Sequence, residues 1–145
     1  MKTFILSYLF PYFLIPLFPI PSSAQTDKTF YDALSSLKDG TSKVDSLNKL
    51  CRALDDDGKA IACGIKVREL AEKLNYKKGI AQSLNNIGVA CYQLGKGREA
   101  LEYHKKSLQI REELGNKKDI SASYVNIGNT YDLLEDKKQA IYYHL

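Results

Sequence analysis

Tryptophan is absent from this 145-residue chain, and all four prolines (Pro11, Pro16, Pro19 and Pro21) fall near its start. From Gln25 to Leu145 there is none, which removes the strongest helix breaker from that whole stretch. Histidine occurs only at His104 and His144. Zinc holds each ligand nitrogen at about 2.0–2.1 Å, so two residues in separate structural units make no metal site. Three cysteines, Cys51, Cys63 and Cys91, make no disulfide framework. Cys51 and Cys63 could meet across one helical hairpin, but small buried apolar residues are the expected role of all three.

Strong charge of one sign is missing too. Lysine and arginine number 21 against 17 acidic residues, in mixed order, for a net charge of +4. That excludes a nucleic-acid stripe and a polybasic membrane patch. The pairs Lys77-Lys78, Lys117-Lys118 and Lys137-Lys138 are expected in turns between helices. Gly95-Lys96-Gly97 is too short for a phosphate loop and has no strand before it. There is no H-E-x-x-H, no C-x-x-C and no context for a nucleophile. Glu112-Glu113 beside Arg111 reads as solvated charge. No catalytic residue, cofactor or metal ligand is expected, and the chain is not expected to be an enzyme.

One long hydrophobic run is present. Met1-Lys2-Thr3 precedes an almost wholly apolar stretch from Phe4 to Ile20, and Ser22 and Ala24 offer a small-x-small cleavage site. Residues 1–24 therefore read as a signal peptide cut after Ala24. The prolines argue against an uncleaved membrane anchor, since a spanning helix wants about 20 continuous apolar residues. Removing Lys2 with the leader lowers the net charge to +3. Residues 25–40 read as an entry helix with Phe30, Ala33, Leu34 and Leu37 on one face and Gly40 as its stop.

The strongest positive signal is an echo. Ser83, Asn86, Ile87, Gly88, Leu94, Ala100, Tyr103 and His104 recur 40 positions on as Ser123, Asn126, Ile127, Gly128, Leu134, Ala140, Tyr143 and His144. A fixed period of this size marks stacked repeats. Three units follow: 41–80, 81–120 and 121–145, the last cut short. By the same period the second helix of the third unit is expected to reach about residue 154, so the chain reads as a fragment, or a truncated reading frame, of a longer protein.

Helical stripes run through each unit. They are Val44, Leu47, Cys51 and Leu54; Ala60, Ile61, Val67, Leu70 and Leu74; Leu84, Ile87, Gly88, Cys91 and Leu94; Ala100, Tyr103, Ser107, Ile110 and Leu114; Tyr124, Ile127, Gly128, Tyr131 and Leu134; and Ala140, Ile141 and Tyr143. Asp55-Asp56-Asp57-Gly58 lacks the ligand spacing of a calcium loop and reads as a helix cap. Gly115-Asn116 reads as a helix stop. Gly88 and Gly128, each costing about 1 kcal/mol in a helix, imply a close helix approach with Ala100 and Ala140 on the facing helix. Asn48 stands at that position in the first unit.

The pattern Leu84, Ile87, Gly88, Cys91, then Ala100, His104 and Ser107, resembles the tetratricopeptide repeat. Tyr124, Ile127, Gly128, Tyr131 and Ala140 resemble it more closely in their aromatics. The usual period is about 34 residues; the longer one here is similar to repeats of bacterial sensor proteins and kinesin-light-chain-like arrays. The resemblance implies an all-α fold, antiparallel helix hairpins stacked as a right-handed α-solenoid. It also implies a protein–protein interaction scaffold whose concave groove takes a peptide or partner protein. The implied groove residues are Asp45, Lys49 and Arg52, then Asn85, Val89 and Tyr92, then Val125, Asn129 and Asp132. No concentrated lysine–arginine clamp is expected, and Asn86 and Asn126 match a structural position.

A looser resemblance rests on the leader, Lys43-Val44-Asp45-Ser46-Leu47-Asn48 and Lys73-Leu74-Asn75-Tyr76-Lys77-Lys78-Gly79-Ile80-Ala81. It is to the extracytoplasmic sensor half of bacterial membrane signalling proteins of the histidine-kinase or transcriptional-regulator type. That implies export to the periplasm or the extracytoplasmic face of a bacterial membrane. Membrane contact is then expected only through a missing C-terminal segment or an uncleaved leader. A free exported adaptor is the alternative, and a small-ligand or enzymatic groove a third.

Overall fold

The structure, a computed structural model, describes residues 40–145. The expected leader with a cut after Ala24, and the expected entry helix apart from Gly40, lie outside the described residues. Six helices follow in order: α1 (Thr41–Arg52), α2 (Asp57–Lys73), α3 (Lys77–Gln93), α4 (Gly97–Leu114), α5 (Lys117–Leu133) and α6 (Lys137–His144). No strand occurs among the described residues. Each helix packs on the next, giving three antiparallel hairpins, α1–α2, α3–α4 and α5–α6. α1 also touches α3, and α3 touches α5, whereas the second helices make no comparable contact with one another. The array therefore closes toward its first helices, and α1, α3 and α5 form one continuous row.

Local chemistry explains where the helices start. Asp56 Oδ1 accepts from Lys59 N at 2.8 Å, so the acidic run is a cap as expected. Asn116 and Asp136 cap α5 and α6 in the same way, accepting from Asp119 N at 3.3 Å and Gln139 N at 3.1 Å. These starts correct the placement of the lysine pairs. Lys77-Lys78, Lys117-Lys118 and Lys137-Lys138 are the first two residues of α3, α5 and α6, not turn residues. Their flexible stems keep the charges in water while the backbone is already helical.

Helix ends use a left-handed residue. Asn75 (φ 50), Gly95 (φ 72), Gly115 (φ 69) and Glu135 (φ 61) follow α2, α3, α4 and α5. After α2, α3 and α5 a paired closing motif captures the last carbonyls: Tyr76 N to Ala71 O at 2.8 Å, Lys96 N to Cys91 O at 2.9 Å and Asp136 N to Tyr131 O at 3.0 Å. α1 has no such residue after it.

The core runs as two clusters. Val44, Leu47 and Cys51 of α1 meet Val67 and Ala71 of α2, and Ile87 and Cys91 of α3 meet Ala100 of α4 with Ile61, Ile65 and Tyr103 around them. Five stripe residues expected inward are exposed: Leu74, Leu94, Leu114, Tyr124 and Ile141. Leu74 and Leu94 are cap residues beyond the last helical turn, and Leu114 is the last residue of α4. Ile141 has the register of Ile61, which packs against the next hairpin's Ile87–Cys91 cluster; no following hairpin lies over Ile141 among the described residues.

Two internal details differ from expectation. The close approach at Gly88 is filled by a side chain, not by a facing alanine. A Cβ on Gly88 would lie 2.7 Å from His104 Cε1, and one on Gly128 would lie 2.6 Å from His144 Cε1. Glycine leaves a slot for an imidazole ring, with Ala100 buried one turn earlier. The second correction is a bond. Cys51 and Cys63 form a disulfide between α1 and α2 with Cα atoms 5.5 Å apart, while Cys91 is a free buried thiol. Their separation of 12 residues places them directly opposite each other across the hairpin.

Polar groups stitch the hairpins together. Asn48, buried in α1, donates from Nδ2 to Gly79 O at 3.2 Å. Its Oδ1 accepts from Ser83 Oγ at 2.9 Å, and its backbone oxygen accepts from Asn86 Nδ2 at 2.9 Å. Arg111, expected beside solvated carboxylates, is instead buried, donating to Asp119 O at 3.0 Å and Ser123 Oγ at 2.8 Å of α5. Burial pushes its pKa down, partly opposed by the nearby Asp119. Its positive head adds charge-assisted bonds to two acceptors of α5 that are already joined to each other, Ser123 Oγ donating to Asp119 O at 3.2 Å.

Candidate functional site

The row α1, α3, α5 presents the nine implied groove residues at corresponding registers, one turn or so apart along each helix. On α1, Lys49 and Arg52 are exposed. Asp45 is half-buried and accepts from Tyr76 Oη at 3.0 and 3.1 Å. Burial first, then the hydrogen bond to this carboxylate, push the Tyr76 phenol up, so it stays protonated and donating.

A cleft of about 350 Å³ opens here between α1 and the start of α3. Asp45, Asn48, Lys49 and Arg52 line it from α1, and Lys78 and Gln82 from α3. Three cations thus share one cleft with one carboxylate that a phenol already holds, a lysine–arginine cluster where none was expected, because Lys78 reaches it from α3. Among the described residues no ion pair engages Lys49, Arg52 or Lys78. Lys77 and Lys137, by contrast, sit 2.8 Å from Glu113 and 3.1 Å from Asp132.

The middle and far parts of the row have a different character. Asn85 is half-buried and its Oδ1 accepts from Asn126 Nδ2 at 2.9 Å, so its amide is engaged in the seam to α5. Val89 is half-buried, and Tyr92 and Val125 are exposed at 37% and 50%. Asn129 is exposed. Asp132 lies between Lys137 and His144, at 3.1 and 3.2 Å, and these partners hold its carboxyl below the usual range. The row therefore runs from cationic through apolar to an acid already paired.

Asn48, Lys78 and Gln82 escaped the sequence reading. The sequence places Lys78 in a turn, but its helical start one turn before residue 81 aims it into the cleft. In sequence Asn48 stands out only as the residue in place of a glycine. Asn86 and Asn126, kept out of the site, do act structurally, each reaching back to the preceding first helix.

The array lacks the marks of a reaction centre among its described residues. No group of three or more His, Cys, Asp or Glu is placed to hold a metal ion there. His104, the most displaced titratable group, is buried over Gly88, with its pKa lowered to about 4, chiefly by burial and then by Arg111.

A family model for the tetratricopeptide repeat matches residues 49–113 and again 79–145. The chain belongs to the tetratricopeptide repeat family. No curated protein matches it. Tetratricopeptide repeats mediate protein–protein binding, and the family is typically a non-catalytic scaffold. The overlap of the two matches fits the packing: α3–α4 is the second unit of one window and the first of the next.

Proposed function

We propose that this tetratricopeptide repeat array holds an extended, acidic polypeptide segment along α1, α3 and α5, anchored in the cleft of Lys49, Arg52 and Lys78. One observation carries the reading: three unpaired cations from two helices converge on one cleft, in a row that is otherwise amide, apolar or internally paired. A carboxylate entering it meets charge-assisted donors without displacing an ion pair. Nucleic acid is disfavoured because the basic character stops at the cleft. Neighbouring helices lie about 8–10 Å apart and an extended chain advances about 3.3–3.6 Å per residue. A ligand acidic at one point should therefore present an apolar residue about three positions on, against Val89, Tyr92 and Val125.

The setting we propose is extracytoplasmic, as the sensor part of a bacterial membrane signalling protein. The apolar leader with its small-residue cleavage pattern supports export, and so does the Cys51–Cys63 disulfide, since such bonds persist mainly outside the reducing cytosol. The signalling role rests on the resemblance of the leader and first repeat.

The binding test uses a fluorescein-labelled dodecapeptide with glutamates at one end and leucine and phenylalanine about three and six residues on. Fluorescence anisotropy with the full chain should show salt-sensitive binding. The double variant Lys49→Glu/Arg52→Glu should weaken it about tenfold or more, from the loss of two charge contacts of about 1 kcal/mol each. A peptide with lysine in place of glutamate should prefer that variant. Equal affinity of wild type and double variant for the acidic peptide would remove the cleft from the function.

A further inference from the structure

The same two positions face each other in all three hairpins, and each pair is joined differently. In the first, Cys51 and Cys63 are covalently linked. In the second, 40 residues on, they are Cys91 and Tyr103, packed in one apolar cluster. In the third they are Tyr131 and Tyr143, stacked with ring centroids 5.6 Å apart. Only the first joint can be opened by electrons.

That joint also sits where α1 has least else to hold it. Of α1 to α5, α1 alone is not followed by a left-handed residue. Its final carbonyls meet only Ala53 N at 3.0 Å from Leu50 O and Leu54 N at 3.5 Å from Cys51 O. Its 12 residues also make it the shortest of the three first helices. The disulfide is placed in the last turn of α1, and Arg52 is the next residue. α1 supplies four of the six residues lining the cationic cleft.

We infer that the Cys51–Cys63 disulfide is a redox latch on the anion-binding cleft: oxidised, it fixes the last turn of α1 and the cleft binds; reduced, that turn loosens and binding falls. This rests on the proposed cleft function and adds its regulation. The chemistry is thiol–disulfide exchange with a dithiol reductant. One thiolate of the reductant attacks the Sγ of Cys63, the half-buried residue of the pair, and the S–S bond breaks. Cys51, wholly buried, leaves as thiolate and takes up a proton. The reductant's second thiolate then closes on the mixed disulfide and releases Cys63, which is protonated in turn. The chain gains two electrons and two protons, and the dithiol becomes a disulfide. Cys91 does not compete from within, because it is buried and burial, the largest influence on it, pushes its thiol up, away from the reactive thiolate.

The rest of the array is built to survive the opening. α1 remains hydrogen-bonded to α3 through Asn48, and hairpins α3–α4 and α5–α6 contain no disulfide. Reduction is therefore a local event at residues 41–52 and not a collapse.

Two measurements on the full chain test the latch, with and without dithiothreitol. Amide hydrogen exchange should speed up at least tenfold in the last turn of α1 on reduction and stay unchanged in α4 and α5. Affinity for the labelled acidic dodecapeptide should fall about tenfold. The variant Cys63→Tyr rebuilds the Cys/Tyr joint of the second hairpin, and should bind the peptide equally with and without the reductant. Unchanged exchange in α1 on reduction would overturn the latch whether or not peptide binds. If the oxidised chain binds no acidic peptide while α1 still responds, the cleft function fails and the redox-controlled joint stands.

Discussion

The first and second hairpins solve one packing problem with opposite residues. In α3–α4 the glycine is on the first helix and the bulk on the second, as His104 lies over Gly88. In α1–α2 the corresponding residues are Asn48 and Gly64, so the glycine has changed helix. A Cβ on Gly64 would lie 2.6 Å from Ile87 Cγ1, so the space left there is taken by the next hairpin instead. Asn48 likewise directs its amide outward, to Gly79 and Ser83 of α3. The second hairpin thus spends its special residues on locking itself, and the first on locking to its neighbour. What holds α1 to α2 is the disulfide with a small apolar cluster.

Protons should break this comparison most strongly. His104 is 2% exposed, its Nδ1 has no hydrogen-bond partner, and its pKa is lowered from 6.5 to about 4. The unfolded imidazole titrates near 6.5, so between that value and about 4 the unfolded chain binds a proton that the folded chain refuses. Stability from this group is complete above pH 6.5, falls as pH drops through the window and levels off below about pH 4. The whole loss is about 3 kcal/mol. Urea unfolding at a series of pH values should show it, and His104→Gln should remove that component from the difference curve. The first hairpin carries Gly64 at this register and should show no equivalent.

Next in size is Asn48→Gly, which installs the second hairpin's residue in the first. It deletes the bonds from Asn48 Nδ2 to Gly79 and from Ser83 and Asn86 to Oδ1. Ser83 Oγ keeps its 2.9 Å bond to Gly79 O, and Asn86 keeps the backbone oxygen of residue 48. With those partners retained, the cost should be about 2 kcal/mol in urea unfolding, from lost buried hydrogen bonds and the void left behind. A cost near zero would mean that the seam is held by apolar packing alone.

The repeat architecture was legible because periodicity survives substitution. Gly88 and Gly128, Ala100 and Ala140, and the Asp56 cap each express a local rule visible in sequence. The exchange between Asn48–Gly64 and Gly88–His104 was present in the same 40-residue register, but it is a statement about pairs. Single-position patterns do not tell which helix of a hairpin supplies the bulk. The disulfide was open in the sequence only as an alternative, for the same reason. Cys51 and Cys63 match Tyr131 and Tyr143, whose stacking shows that these positions face each other, but neither aromatic recurs in the first unit. The cleft needed three dimensions in another way. Lys78 joins Lys49 and Arg52 only because α3 starts one turn before the echo does. Of the nine implied groove residues, Asp45, Lys49 and Arg52 are brought into that cleft, and Asn85 is drawn into a seam.

The smallest predicted effect separates two glycines that look identical in sequence. Gly88→Ala and Gly128→Ala each add a methyl group against a histidine ring, at 2.7 and 2.6 Å. Each also gains about 1 kcal/mol of helix propensity. His104 is buried on all sides and cannot step back, so Gly88→Ala pays an overpacking cost of about 2 kcal/mol and loses about 1 kcal/mol net. His144 is exposed at the end of α6 and held there by Asp132 at 3.2 Å. It can turn outward at the cost of a solvent-exposed pairing, a contribution near the bottom of the usual range. Gly128→Ala should therefore be neutral or stabilising by up to about 1 kcal/mol. The urea midpoint should fall for Gly88→Ala and hold or rise for Gly128→Ala; a loss of stability in both would mean that the His144 ring is as fixed as that of His104.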